Sequence, residues 1–579
     1  MVFVGGVIFD LAAVVYVYLP FILASILPLP GRKSRGYQLF LKALFYISTV
    51  ITVLVSLSDL IYYRFTFKRS TADIIDFVTT GNDTIRLIPQ FLKDYFYLIF
   101  VAAILIGFVE VLYRSTQKHE IVNTKWWKST LLFFVWLALT VIASRGGIQL
   151  RPITAMEASK YTTIDRLPLV LNTPFTITRT LLKEGIEPVK YFDETEIESI
   201  YSPIHTINST AKNTPNVVLL ILESFSSEYI GFYNNGKGYT PFLDSLMGES
   251  IVFTNAYANG KKSIEALPSL LAGIPNMMEN PYATSIYNNN SINGIGTLLK
   301  TLNYNGSFFH GGTNGTMNFN VFAKMAGIDH YYGMNEYPKN KDYDGNWGIF
   351  DEPFLRFFAD ELTKKQAPFF ASLFTLSSHH PYTIPKQHQG KFPKGDLEIH
   401  ESIGYSDYAL KQFFNRAKQL PWYENTVFII TADHTAQMSD PNYFNRTGLF
   451  KVPLIIANYS DSAQVITSTT QHADMVPLIL NMTNFKGDAL YFGNNPLSDS
   501  DHFAVNYING IYQLITDDYS YLYDGEQAVG LFNLKTDSLQ KNDLLDSNLL
   551  DQQLLDKKLK GILQQYTNRM INNKLTITK

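Results

Sequence analysis

The chain has 579 residues, a formal net charge of −3 and no cysteine. That length can hold several domains and a large core, and the near-neutral balance offers nothing for nucleic acid to bind. The missing cysteine excludes disulfides, thiolate metal sites and a cysteine nucleophile, while leaving the redox compartment open.

Four apolar runs come first, at roughly Val2–Pro28, Leu39–Tyr62, Tyr95–Tyr113 and Trp127–Ser144. Each approaches or exceeds the ~18–20 residues a helix needs to cross a bilayer. The first is too long for a signal peptide and lacks a basic start and a small-residue cleavage site. Residues 1–145 are therefore expected to form a transmembrane domain of four helices. Basic residues in the first loop (Arg32, Lys33, Arg35) and the third (Arg114, Lys118, Lys125, Lys128) put both loops in the cytoplasm. The chain would then start outside and deliver everything after Ser144 to the extracytoplasmic face of the cell membrane. The stretch from Arg64 to Phe77 is also basic, and its alternation suits an amphipathic helix on the outer surface. Asp10 and Glu110 lie in or near the spans, where charge is costly and often functional; helix–helix hydrogen bonding is the plainer reading.

Residues 146–212 read as a linker with some helix. From Pro215 the character changes: "NVVLLILESFSSE", "APFFASLFTLSSHHPY", "NTVFIITADH" and "KVPLIIANYS" carry apolar runs too short for helices, the pattern of buried parallel strands. Helix-like segments lie between them. Residues 213–545 are thus expected to form an α/β domain with a mainly parallel central sheet. "GIYQLITDDYSYLYDGEQAVGLFNLKTD" reads as antiparallel strands at a sheet edge. Residues 546–579 form a C-terminal helix with Leu554, Leu555, Leu559, Ile562 and Leu563 on one face.

Three strand-like runs end in ligand-type residues: Glu223, then His379 and His380, then Asp433 and His434. Ligands bind at the carboxyl ends of strands in open α/β sheets, so parallel neighbours would bring these side chains together. Two carboxylates and an imidazole suit Mn²⁺ or Zn²⁺ better than Ca²⁺. Such a cation would lower the pKa of a nearby hydroxyl, and "NGKKSIEALPSLLAGIP" supplies a candidate. Ser263 opens a helix-like run, where free N–H groups and the dipole favour anionic oxygens, with Lys261 or Lys262 adding charge. A plain N-cap serine, with Glu265 in the first turn, is the commoner meaning of that spacing.

"NVVLLILESFSSEYIGFY…TPFLDSL", "GKKSIEALPSLLAGIP", "FFHGGTNGTMNF", "LSSHHPY" and "TADHTAQ" together resemble the lipoteichoic acid synthase group of the sulfatase-like, alkaline-phosphatase superfamily. "LFNLKTDSLQKNDL" is similar to the tail of sulfatase-type domains. The resemblance implies an N-terminal transmembrane α-helical bundle followed by an alkaline-phosphatase-like α/β domain. It implies one divalent metal, Mn²⁺ favoured and Zn²⁺ possible, held by Glu223, Asp433, His434 and Ser263. Ser263 takes the nucleophile position and His379 matches a histidine that contacts substrate phosphate. The implied reaction moves a phospho-head group from a membrane lipid donor to a glycan or lipid acceptor at the cell surface, through a phospho-serine.

Departures accompany the resemblance. The synthases have threonine directly after "GK", where this chain has Lys262 and then serine. Their Trp-x-Arg unit after "HG" is replaced by Met317 and Phe319, which removes a bidentate phosphate contact and puts phosphatidylglycerol in doubt as donor. The synthases also cross the membrane five times from an inside start, so the same topology here would lack its first helix.

Further candidates for substrate contact are Lys262, His310 in "FFHGG" and Trp347 in "DYDGNWGIFDEPF", although a lone histidine or tryptophan is commonly structural. Asp351 reads as a cap or turn residue, Asp474 as an N-cap, and His472 with Asp474 as a weaker second metal site. A true sulfatase is the nearest rival, but Ser263 is followed by "IEAL" rather than a formylglycine signature. Disulfide-rich phosphoethanolamine transferases are a second rival, which the missing cysteines weaken. A hydrolase of the same superfamily and a non-catalytic binding domain on the same fold complete the range of functions. Oligomeric state leaves no trace in the sequence.

Overall fold

The computed structural model describes all residues except 30, 67–68, 73–88, 117–124, 149–152, 154–157, 159–160, 163–166, 182–184, 212, 289, 339, 548–549 and 578–579. They divide into two compact units, one of residues 1–78 and 84–184 and the other of 79–83 and 185–579.

In the first unit the four apolar runs become helices α1 (Val2–Ile26), α2 (Arg35–Thr66), α3 (Phe96–Thr116) and α4 (Trp126–Arg145). All four are long and apolar enough to cross a membrane. At most 22% of the apolar window of any span is buried within the protein, so hydrocarbon is the natural cover for the rest. Helix α5 (Thr173–Leu181) packs on α1 and α2, with Phe175 edge-on to Phe9 at 5.0 Å. Asp10 accepts a hydrogen bond from Asn172 at 2.7 Å, and Glu110 pairs with Arg114 and, at 3.9 Å, with Lys42 of α2. Both charges therefore serve contacts between neighbouring segments. Of the amphipathic helix expected at Arg64–Phe77, residues 67–68 and 73–77 lie outside the described residues; 64–66 are the end of α2 and 69–72 are not helical.

The second unit is built on a mixed eight-stranded sheet. Its strands are β1 (Asn216–Leu222), β2 (Ile251–Phe253), β3 (Asn305–His310), β4 (His330–Tyr332), β5 (Phe369–Phe374), β6 (Thr426–Ala432), β7 (Leu454–Ala457) and β8 (Gln464–Ile466). The order is β8-β2-β7-β6-β1-β5-β3-β4. Along β1, Val217, Leu219 and Ile221 enter one core, and Val218, Leu220 and Leu222 the other. Burial on both faces explains why the strand is apolar at every position. Helix α7 (Ser263–Ala272) covers the first face; α8 (Asp351–Leu362) and α9 (His400–Ala417) cover the second.

All neighbours run parallel except β7, which lies antiparallel between β6 and β2. The expectation of a parallel strand at "KVPLIIANYS" is corrected here. A run buried on both faces carries no directional signal, and the segment from β6 to β7 has no crossover helix to restore direction. The tyrosine-rich segment is likewise not an edge of this sheet. It forms a separate antiparallel sheet of four strands spanning Phe503–Ile508, Ile511–Thr516, Tyr519–Tyr523 and Ala528–Asn533.

The stretch 146–212 is shared between the units. Its first part belongs with α5, while α6 (Glu194–Ile200) packs on the C-terminal helix α10 (Leu550–Ile571). The next segment, Ile204–Asn208, pairs antiparallel with Lys486–Leu490. In α10, Leu555, Leu559, Ile562 and Leu563 are buried, whereas Leu554 is exposed.

Candidate active site

Strands β6, β1, β5 and β3 are adjacent and parallel, so their carboxyl ends open on one edge of the sheet. Glu223 follows β1, Asp433 and His434 follow β6, and His310 is the last residue of β3. His379 lies five residues beyond β5, in a loop rather than at the strand end.

One acceptor atom from each of Glu223, Asp433 and His434 lies within 4.8 Å of the others, and all three residues are buried. His434 Nδ1 is 2.9 Å from the Thr435 carbonyl, which can only accept, so Nδ1 carries a proton and Nε2 is the ring nitrogen that faces the carboxylates. Nε2 is 3.2 Å from Asp433 Oδ2, an oxygen with no hydrogen-bond partner among the described residues. Asp433 Oδ1, by contrast, accepts the N–H groups of Ser224 and His434, both at 2.7 Å. Burial and then the Asp433 charge push the Glu223 pKa well above the usual carboxylate range. Two buried carboxylates and an imidazole converging in this way form an arrangement that a divalent cation would satisfy.

Ser263 is the first residue of α7, and its hydroxyl does not cap the helix. The N-cap position is Lys262, half-buried, with φ −139°. Ser263 Oγ instead donates to Glu223 Oε2 at 3.2 Å and lies 3.4 Å from His434 Nε2. Spacing favoured the capping serine, but the fold turns this hydroxyl toward the acidic cluster. Glu265 folds back in the first turn to accept the Lys261 N–H at 2.7 Å. Only glycine fits beside it, since a Cβ on Gly260 would come within 2.5 Å of the Glu265 Cβ.

The buried cation of the pair is Lys261. Its Nζ donates to the carbonyls of Thr435 and Leu449, each at 3.0 Å, and to the Thr435 hydroxyl. Burial lowers its pKa to about 7 against the raising effect of Glu265 and Asp433. The Thr435 carbonyl thus accepts from both Lys261 and the His434 imidazole.

His379 is buried beside Trp347, their rings 4.2 Å apart, and the Trp347 indole N–H donates to the His380 carbonyl at 2.6 Å. Burial, with the neighbouring imidazoles of His380, His434 and His310, pushes the His379 pKa down to about 4 despite its bond to the His380 carbonyl. It is neutral at pH 7. His310 is buried, with Nδ1 3.2 Å from the Phe374 carbonyl. Phe319 fills the space between His310 and Phe374, at 5.2 and 5.3 Å, while Met317 holds a left-handed backbone at φ +47°.

Several supporting residues escaped the sequence reading. Ser224 adopts φ +61°, uncommon outside glycine, and is held there by donating its N–H to Asp433 and its hydroxyl to Glu223 Oε1 at 2.6 Å. Thr375 accepts the Glu223 N–H at 2.8 Å, and the Ser378 hydroxyl donates to the Glu223 carbonyl. The sequence signal was a hydroxyl directly after each acidic or apolar strand end. Asp351 accepts the N–H groups of Leu376 and Ser377 at 2.8 and 3.1 Å, which anchors the His379 loop. Asp474 takes part in a capping box with Gln471. His472 is buried, which lowers its pKa to about 3, and it stands outside the Glu–Asp–His group.

Residues 215–485 match the sulfatase family. The chain is 27% identical over 354 residues to lipoteichoic acid synthase 2 of Bacillus subtilis, which covers 55% of this chain and 53% of that protein. The crystal structure of the lipoteichoic acid synthase LtaP from Listeria monocytogenes superposes with a TM-score of 0.55 at 20% identity, over 66% of this chain and 99% of that one. Residues 215–485 are sulfatase-like, and the chain is similar to lipoteichoic acid synthases. A superfamily protein from Vibrio parahaemolyticus gives a TM-score of 0.60 at 22% identity, over 67% of this chain and 98% of that one, and shares the fold. The chain spans about half the length of the curated relatives it matches, 53% for the Bacillus protein.

Proposed function

We propose that the second unit is a metal-dependent phosphotransferase that moves a phospho-head group from a membrane phospholipid to a surface glycan or lipid hydroxyl. The observation that carries this reading is the Ser263 hydroxyl directed into the buried Glu223–Asp433–His434 cluster, whose orphaned Asp433 oxygen calls for a cation. Similarity to lipoteichoic acid synthases supports the choice of a lipid donor, and the four span-length helices support a site held beside a bilayer.

Glu223, Asp433, His434 and Ser263 would hold the cation, with Mn²⁺ preferred over Zn²⁺. When bound, it supplies Lewis-acid polarisation and favours loss of the Ser263 proton. Ser263 Oγ bonds to the phosphorus of the lipid phosphodiester as the phosphorus–oxygen bond to diacylglycerol breaks. The departing oxygen takes one proton, balancing the one that Ser263 loses. The acceptor hydroxyl then bonds to phosphorus, gives up its proton, and restores the serine. Lys262 at the helix start, with His379 and His310, would steady the phosphoryl oxygens, and Trp347 keeps His379 in place. Phe319 and Met317 give the pocket an apolar wall where a guanidinium would otherwise grip a phosphate.

The test is intact-protein mass spectrometry of the full chain and its Ser263→Ala variant, each with Mn²⁺ and either phosphatidylglycerol or phosphatidylethanolamine. An adduct on the parent alone, with the mass of a head group, establishes both nucleophile and donor. Water as acceptor would reveal itself as released head-group phosphate without acceptor product. Absence of any adduct, turnover and bound metal would sink the enzymatic reading.

A further inference from the structure

The loop that leads into α8 is built around one carboxylate. A bridge between Tyr343 and Ile349 joins its ends, and the Asp344 N–H closes it by donating to the Gly348 carbonyl at 2.8 Å. Asp344 Oδ1 then accepts three successive backbone N–H groups, from Asn346 at 2.7 Å, Trp347 at 2.8 Å and Gly348 at 3.1 Å. Gly345, at φ +92°, supplies the left-handed residue that so tight a turn needs. Burial pushes the Asp344 pKa up to about 6, against the lowering effect of the three N–H groups. A buried carboxylate is costly where a serine would serve an ordinary turn, so what this turn holds matters.

Each of the three residues gathered by Asp344 touches a loop that carries a site histidine. The Asn346 amide donates to the Thr383 hydroxyl at 3.0 Å. The Trp347 indole N–H donates to the His380 carbonyl, and its ring stands against that of His379. The same carbonyl lies 3.0 Å from His379 Nδ1, so indole and imidazole share one acceptor. Gly348 forms a bridge with Gly312, two residues past His310, and a Cβ on it would collide with the Gly311 carbonyl. The Ile349 N–H donates to that carbonyl at 3.0 Å. Asp351 fixes the start of the His379 loop at Leu376 and Ser377, while residues 346–348 tie its later part to the turn after His310.

We propose that Asp344 is a positioning residue: by gathering the N–H groups of Asn346, Trp347 and Gly348, it holds the His310 and His379 loops at one fixed separation. The inference rests on the reading of these two histidines as contacts for the phosphoryl group at Ser263. Asp344 acts through its loop, by placing the histidines, and not on the substrate itself. A misplacement of about 1 Å at such contacts can cost about a hundredfold in rate.

Two measurements on the full chain with Mn²⁺ test the proposal. The first is turnover of phosphatidylglycerol or phosphatidylethanolamine, whichever the parent consumes. Asp344→Ala should lower kcat/KM about 10–100-fold at unchanged metal content. In a His379→Gln background the same substitution should cost at least about threefold less, because part of what it positions is gone. Asp344→Asn keeps one oxygen for all three N–H groups and should restore most of the parent rate. No loss in Asp344→Ala, or an equal loss in both backgrounds, overturns the proposal.

The second measurement needs no turnover: diethyl pyrocarbonate labelling of histidines, read by peptide mass spectrometry. His310 and His379 should react severalfold faster in Asp344→Ala than in the parent, while the buried His472 keeps its rate. Unchanged rates at both overturn the positioning role, and where His379→Gln has no measurable turnover this labelling decides. The expected labelling in a parent that consumes neither lipid would uphold the placement of the histidines and refute the reaction proposed for Ser263 instead. If His472 accelerates as well, Asp344→Ala is loosened throughout, and Asp344→Ser takes its place. Equal acceleration of all three histidines in Asp344→Ser refutes a local role.

Discussion

Asp433 and Asp351 are both buried carboxylates close to the same sheet edge: one follows β6, and the other grips the loop that follows β5. Their surroundings differ in kind. Asp351 accepts two backbone N–H groups and the Ser406 hydroxyl, so both of its oxygens meet donors. Asp433 has hydrogen-bond donors on Oδ1 only among the described residues, while Oδ2 lies 3.2 Å from His434 Nε2 and in the same cluster as Glu223. A satisfied carboxylate holds a loop in place, whereas one with a free oxygen has capacity left for a ligand.

The sharpest way to break this contrast is to neutralise each residue in turn. Asp433→Asn should abolish stoichiometric Mn²⁺ binding and lower transferase activity by about a thousandfold or more. Without metal it should melt at or above the parent's temperature, because the new amide donates where two acceptors now face each other. Asp351→Ala should do the reverse: metal content is kept, but about 2–4 kcal/mol of folding stability is lost with its three hydrogen bonds. Metal analysis and urea unfolding of the two variants measure both effects. Destabilisation of the metal-free protein by Asp433→Asn would remove the distinction.

Lys261 refines the comparison, since it shares the Thr435 carbonyl with His434. Groups that orient a metal-ligating histidine typically matter about 10–100-fold for metal affinity. Lys261→Met should therefore weaken Mn²⁺ binding by roughly that factor, read by calorimetric titration, with a smaller effect on the metal-saturated rate. Unchanged affinity would reduce Lys261 to a packing residue.

How much of this could be read from the sequence follows from where the signal resides. Membrane helices announce themselves by length and hydropathy, because the bilayer tests every residue of a span. Glu223, Asp433 and His434 were legible because apolar strands end abruptly in ligands, and the topology makes β1 and β6 neighbours. The orientation of β7 was not legible, since burial on both faces erases any cue to direction. Local spacing alone did not separate a capping Ser263 from one turned toward a carboxylate, although the family resemblance favoured the second; the contact with Glu223, 40 positions away, is what distinguishes them. The same limit applies to the lysine pair. Sequence favoured Lys262, yet it is Lys261 that the fold buries against Thr435. Such long-range partners are invisible to any local pattern.

A third buried carboxylate gives the smallest but cleanest test of what donors alone achieve. Asp407 of α9 accepts the N–H groups of Phe242 and Leu243, at 2.9 Å each, and no cation among the described residues is salt-bridged to it. Burial nevertheless outweighs those hydrogen bonds and raises its pKa to about 7. A carboxyl whose folded pKa lies above its unfolded value binds its proton more tightly in the folded state. Its stabilising effect is therefore complete below the unfolded pKa, declines as pH rises toward 7, and is gone above that. Asp407→Asn keeps an oxygen for one of the two N–H groups and removes the titration, so the slope with pH and not the absolute stability is compared. Between pH 5 and pH 7 the parent should lose about 1–2 kcal/mol more stability than this variant, measured by urea unfolding at each pH. Parallel pH profiles would mean that the two N–H donors fully compensate the buried charge, and that satisfied carboxylates in this fold carry no penalty at neutral pH.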